Sequence, residues 1–329
     1  MSSEKTIIDI KHHSLMGAIM ISVVVSAIYS LYLRMGALNN FETIVTPSVA
    51  GDWVYGWQLR NPILSAIIVG LGGAILSIKL GQIASRFNLY GTTTNLTMEI
   101  HPLLVMGIMV NVSSLRVLII SLLLLYSISR LFKAYRASNR AGFIVRGAIA
   151  MGLTATLYPP MIVLCGIMPF MLILFERTLR EAIVTLFAIL IVPFTQLYIT
   201  WLIWDVSFVD SITQFTDSLF IDNDFTLLDS FNGVTIIMLA LVLYTSINAL
   251  FTISLLENTI KARRRLKVIG LYAVAIGLTL LFPSCDTSTF GILALPASLL
   301  IPITLLKFSR LISFIIYISF FICTIAAIF

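Results

Sequence analysis

The feature that most constrains this chain is repetition of long apolar runs. Ten stretches of 16 to 23 predominantly apolar residues follow one another, at 14–33, 62–80, 115–132, 141–158, 160–175, 182–204, 233–255, 267–283, 289–306 and 311–329. A helix of roughly 20 such residues crosses the hydrocarbon of a bilayer. Only 21 basic and 15 acidic side chains are spread over 329 residues, and mean hydropathy is +1.03. A soluble domain carries about a quarter charged residues, so soluble enzymes and free nucleic-acid binders are excluded. The sequence predicts an all-α polytopic membrane protein, one integral domain over 1–329 whose first partner is the lipid bilayer. The polar segment 1–13 precedes a run too long for a signal-peptide core, so the first run reads as an uncleaved span.

The basic residues set the predicted orientation. Dense basic loops at 130–146 and 261–267 belong on the cytoplasmic side. With the N-terminus inside, the second span returns the chain inside near Lys79 and Arg86. Two further crossings are then needed before Arg130, which makes the weak segment 92–113 a span; its polarity leaves a re-entrant hairpin as the alternative. The expectation is about 11 transmembrane helices, N-in and C-out. On that layout 18 of the 21 Lys and Arg lie inside, and Arg34, Arg60 and Arg116 lie outside. Orientation therefore accounts for the net charge of +6 without a nucleic-acid partner.

Polar chemistry concentrates in a few places. The loop 34–61, assigned outside, holds Glu42, Asp52, Arg60, Trp53 and Trp57. It reads either as an interfacial loop anchored by its aromatics or as a substrate-facing loop in which Asp52 or Glu42 is a base or cation ligand. In 205–232, Phe208, Ile212, Phe215 and Leu219 recur at helical spacing, which predicts an amphipathic outer-face helix near 206–220. Asp222, Asn223 and Asp224 lack the glycine and closing Glu of a calcium loop. Glu99 and His101 precede Pro102 in the weak span. They are read either as an ionisable relay facing a cavity or as part of a fraying span whose Glu99 reaches the headgroups. Arg116 opens a span on the outer side, where a phosphate could meet it, and Asp286 lies in a short outer turn that could join Asp52 at a common cavity. Cys165, Cys285 and Cys323 have no metal or redox spacing and read as packing residues or free thiols. No cofactor motif is present.

Three segments carry a resemblance: the weak span from Asn95 to Asn111, RAGFIVRGAIAMGLTATLYPP at 140–160, and ERTLREAIVTLFAILIVPF at 176–194. Through Gly142, Tyr158-Pro159, Arg177, Arg180-Glu181 and Pro193, about a third of the chain resembles an uncharacterised family of polytopic inner-membrane proteins of Bacteroidota. The resemblance implies the bacterial inner membrane and no particular activity. The layout is also similar, at fold level, to GT-C-type membrane glycosyltransferases. That similarity implies Asp52, or else Glu42, as the carboxylate acting on a polyprenyl-phosphate-linked sugar, although the two stand ten residues apart rather than adjacent. Three functions stay open at this point. They are glycan handling at the outer face with Asp52, Arg60 and Arg116, a transporter or flippase using Glu99 and His101, and a non-catalytic subunit bound to a membrane-protein partner.

Overall fold

The structure is a computed structural model that describes residues 14–34, 48–108, 114–135, 141–204, 207–220, 231–255 and 259–327. Among these residues helix is the only regular structure. The helices are α1 (Leu15–Arg34), α2 (Val49–Arg60), α3 (Pro62–Arg86), α4 (Leu96–Ile108), α5 (Ser114–Ala134), α6 (Ala141–Leu157), α7 (Ile162–Leu174), α8 (Leu179–Trp204), α9 (Phe208–Phe220), α10 (Gly233–Thr252), α11 (Ile260–Leu278), α12 (Ser288–Lys307) and α13 (Arg310–Ala326). Six of them, α1, α3, α5, α8, α10 and α12, are long and apolar enough to cross a membrane, and α4, α6, α7 and α13 are shorter apolar helices. The chain is thus built for a membrane.

Local chemistry sets the helix ends. Ser48, Thr259 and Ser309 cap α2, α11 and α13 by accepting the backbone N–H three residues on. Pro62 opens α3 at a position where its missing N–H costs nothing. The chain leaves α3 through Asn88, at φ 45°, and leaves α7 through Glu176, at φ 54°. At each exit the next residue bonds back to the helix: Leu89 N–H to Ala84 O at 3.0 Å, and Arg177 N–H to Leu172 O at 3.2 Å. These are left-handed caps that satisfy otherwise orphaned carbonyls.

Interactions between distant segments define the two ends of the bundle. At one end Ser48 Oγ donates to Leu157 O, Leu115 N–H donates to Gln58 Oε1, and Arg116 pairs with Asp286. At the other end Arg265 bonds Phe87 O at 3.3 Å, Arg177 bonds Ala134 O at 2.7 Å, and Arg264 reaches both Tyr135 and Glu176. The segments that the charge pattern assigned to one side meet one another at one end. The chain leaves α3 at the Arg265 end and enters α5 beside Gln58, and α4 lies between these two points in the sequence. α4 has 13 residues, about 20 Å at 1.5 Å per residue, which is shorter than the ~30 Å hydrocarbon layer. Protein surrounds it: every residue of α4 except Val105 is buried.

Burial grades outward from there. α12 is 89% buried over its apolar window and α8 only 11%, so α12 is central and α8 lies at the periphery with most of its apolar surface facing outward. Small residues let helices approach. A Cβ on Gly70 would lie 2.6 Å from Ser30 Cβ, and one on Gly152 would lie 2.7 Å from Ile189 O. The segment 34–61 is not simply a loop: its second half is α2, packed on α5 and α6.

Candidate functional site

The predicted amphipathic helix is present as α9, and its surface has three sides rather than two. Ser211, Phe215, Ser218 and Leu219 face protein, Val209, Ile212 and Phe220 are exposed apolar, and Asp210, Gln214 and Asp217 are exposed polar. At 100° per residue these sets occupy successive arcs of one helix. The apolar stripe read from the sequence therefore straddles two environments, and Ile212 is 38% exposed. A helix with protein, lipid and water sides is suited to the rim of a membrane protein.

Between α9, α8 and the start of α2 lies a cavity of about 330 Å³. Its polar lining includes Asp52, Asp217, Gln196, Gln214, Ser48 and Ser211, and Pro193, Leu197 and Phe215 supply apolar wall. Ser48 places Asp52 within the first turn of α2, where Asp52 N–H bonds Ser48 O at 2.7 Å. Partial burial pushes the Asp52 carboxyl above its ordinary range, and the Ser48 backbone and the Arg116 charge pull part of the way back. Ser211 Oγ is buried and has no hydrogen-bond partner among the described residues.

Behind Asp52, Arg116 is 1% exposed. Its Nη2 donates to Asp286 Oδ2 at 2.6 Å and to Ser288 Oγ at 2.9 Å, and its guanidinium lies 5.2 Å from the Tyr158 ring centroid. Asp286 is held in turn by the Ser288 N–H at 2.8 Å, while its own N–H bonds Tyr158 Oη at 3.0 Å. Tyr158 Oη also meets Thr289 Oγ1 at 2.8 Å. Arg116 Nε and Nη1 and Gln58 Nε2 are buried with no partner among the described residues. A buried charge is tolerable only when paired, and Asp286 supplies the pair.

The structure thus places Asp52 on the cavity, sets Arg116 and Asp286 behind it as a bonded pair, leaves Trp53 exposed next to Asp52, and leaves Arg60 exposed at the other end of α2. Trp57 is half-buried against the core. Glu42, Asn111 and Asp222 to Asp224 lie outside the described residues. Asp217, Gln196, Gln214, Gln58, Tyr158 and Ser211 are additions that the sequence reading missed. One signal was available: Pro193, Gln196 and Thr200 share a face of an otherwise apolar helix, and all three line the cavity.

Glu99 and His101 sit elsewhere, at the centre of the bundle, 0% and 1% exposed. Glu99 Oε2 accepts from Tyr317 Oη at 2.8 Å, and His101 Nδ1 meets Ser77 Oγ at 2.7 Å. His101 Nε2 has no partner among the described residues. His101 lines an internal cavity of about 30 Å³ together with Ser26, Tyr29, Ser114 and Ser121, room for a water or two. Glu99 is enclosed by protein, with Tyr317 as a hydrogen-bond partner.

Among the described residues no group of three or more His, Cys, Asp or Glu is arranged to hold a metal ion. Comparison with protein-family models, curated proteins and solved structures finds no match to this chain.

Proposed function

We propose that this chain is an eleven-span, N-in and C-out protein of the bacterial inner membrane, related to the Bacteroidota family it resembles. It works in cell-envelope assembly with a GT-C-like layout, handling a polyprenyl-linked sugar at the outer face. The observation that carries this reading is the Asp52 cavity. Two carboxylates, two amides and several hydroxyls with an aromatic wall suit the many hydroxyls of a sugar. The exposed apolar side of α9 and the lipid-facing side of α8 flank the same cavity, as an amphiphilic substrate requires. Asp52 acts as base or cation ligand. Arg60, exposed at the end of α2 and without an ion pair among the described residues, is the side chain that meets a phosphate. Arg116 is occupied by Asp286 and acts on Asp52 through its charge. Mass spectrometry of polyprenyl lipids from cells carrying wild type, a deletion and Asp52→Asn tests this. The deletion and Asp52→Asn should accumulate the same lipid-linked intermediate, and an unchanged profile in both removes the reading.

A second reading, transport or lipid flipping, rests on the central pair. Two ionisable side chains fully buried in a membrane bundle, one of them on a small internal cavity and with a nitrogen that has no partner among the described residues, are what a relay requires. On this reading Glu99→Gln abolishes uptake that depends on pH or membrane potential, and Asp52→Asn is silent.

A further inference from the structure

The end of the bundle marked by Arg265 carries a groove that opens sideways, where α10 passes the end of α12. Its volume is about 410 Å³, and it is lined by Tyr244, Ile247, Asn248, Phe251, Thr252 and Lys307. All but Lys307 come from α10, at the three- and four-residue spacing of a single helix face. Tyr244, Ile247 and Phe251 are 56%, 44% and 76% exposed. Lys307 is the exposed last residue of α12 and makes no ion pair with a described residue.

This lining differs from the other large apolar surface. The exposed side of α8 presents Ile183, Phe187, Leu190, Ile191 and Phe194 in succession, which plain acyl chains cover without further requirement. In the groove, a cation and a primary amide stand beside the apolar side chains of Ile247 and Phe251, the Tyr244 ring and the Thr252 hydroxyl, which is bonded back to its own helix. Polar groups at such a place are costly unless something polar meets them. The order of groups along the groove is also directional. Lys307 and Thr252 lie at its end, Asn248 is about 6 Å deeper and Tyr244 about 6 Å deeper again, at 1.5 Å per residue. That is the sequence of a phosphate, a glycerol ester and the start of an acyl chain. The surrounding end is basic, with Arg86, Lys133, Arg177, Lys261 and Arg265 among its side chains. A membrane surface facing it is therefore enriched in anionic lipid.

We propose that this groove binds one anionic phospholipid, with Lys307 on its phosphate, the Asn248 amide on its ester carbonyls, and an acyl chain along Ile247 and Tyr244. The site is remote from the Asp52 cavity and independent of what that cavity does.

Native mass spectrometry of the full-length protein in detergent tests this, using phosphatidylglycerol and phosphatidylcholine of identical chains as probes. One phosphatidylglycerol should be retained in preference to phosphatidylcholine. Lys307→Gln should weaken retention by about fivefold, the equivalent of ~1 kcal/mol for one Lys at an anionic headgroup. Lys307→Arg should restore most of it, and Asn248→Leu should weaken it with the charge intact. Lys267→Gln, which alters an exposed charge at the same end, should change nothing. Equal retention of the two lipids overturns the proposal. So does an equal loss in Lys267→Gln and Lys307→Gln, which would mean diffuse attraction rather than a site. Complete displacement of the lipid by millimolar inorganic phosphate also overturns it and marks a free-phosphate site. Unchanged thermal unfolding of each variant in lipid-free detergent separates lost binding from lost folding.

Discussion

Arg116 and Asp286 are bonded Nη2 to Oδ2 at 2.6 Å across 170 residues of chain. The pair joins the start of α5 to the turn before α12, and both side chains are almost fully buried. Removing one partner of such a pair leaves an uncompensated buried charge, at a cost of about 3–5 kcal/mol. Asp286→Ala should therefore lower the unfolding temperature in detergent sharply. The double variant Arg116→Met with Asp286→Leu should recover much of that loss, because no charge is left stranded. Equal instability of the single and double variants would show that the pair is not what holds this corner together.

Asp52 supplies a pH signature. Burial raises its carboxyl in the folded protein above the ordinary value, whereas the unfolded chain titrates near 3.9. The folded state thus holds the proton more tightly, and that contribution to stability is fully present below about pH 4. It is lost as pH rises through the raised folded value. Asp52→Asn removes the effect. The stability of the variant relative to wild type should improve as pH climbs from about 4 into the neutral range and be flat above it. Unfolding temperature against pH for the two proteins reads this directly.

Two glycines should respond in opposite ways. A Cβ on Gly152 would lie 2.7 Å from the Ile189 carbonyl and 2.9 Å from Val192, so Gly152→Val should overpack the contact of α6 with α8 and cost about 1–3 kcal/mol. A Cβ on Gly56, in the middle of α2, meets nothing within 4 Å. Gly56→Ala should stabilise by about 0.5–1 kcal/mol, the helical cost of glycine. Thermal unfolding of both variants in one detergent checks the pair.

Cysteine labelling tests the orientation. Native Cys285 is 2% exposed, and burial pushes its thiol up, so it should resist a membrane-impermeant maleimide in intact cells. With the partly exposed Cys323 changed to Ser, Asp217→Cys should label from outside, and Lys267→Cys should label only after the membrane is opened. The reverse pattern would invert the assigned topology.

The helical bundle was legible because its cause is local. Runs such as 233–252 form their backbone hydrogen bonds within one helix and need no partner to be recognised. The grouping of 86–87, 134–135, 176–177 and 264–265 at one end was legible from Lys and Arg alone. α4 itself was less so: it is short and polar because protein, and not lipid, surrounds it, and burial by other helices leaves no periodic stripe. The site was legible only in part. Asp52 stood out beside its aromatics, but its neighbours Asp217, Gln196 and Gln214 come from α8 and α9, more than 140 residues on. The Arg116–Asp286 pair is likewise a tertiary fact. The sequence offered Arg116 as a free cation for phosphate, and the fold neutralises it.

The wrapping of α4 bears on how the protein is made. Glu99 is bonded to Tyr317, 218 residues later, and Leu103 O accepts from Thr324, 221 residues later. When α4 leaves the ribosome, α12 and α13 have not been synthesised. His101 already has Ser77 of α3 as its partner, but in the interval the Glu99 carboxylate is costly in hydrocarbon, so the segment waits at the water interface or inside the insertion machinery. It takes its central place only once the C-terminal helices arrive. Truncation before residue 310 would then leave a chain that inserts its early spans but never matures, and quality-control proteolysis would be set by the last helix made.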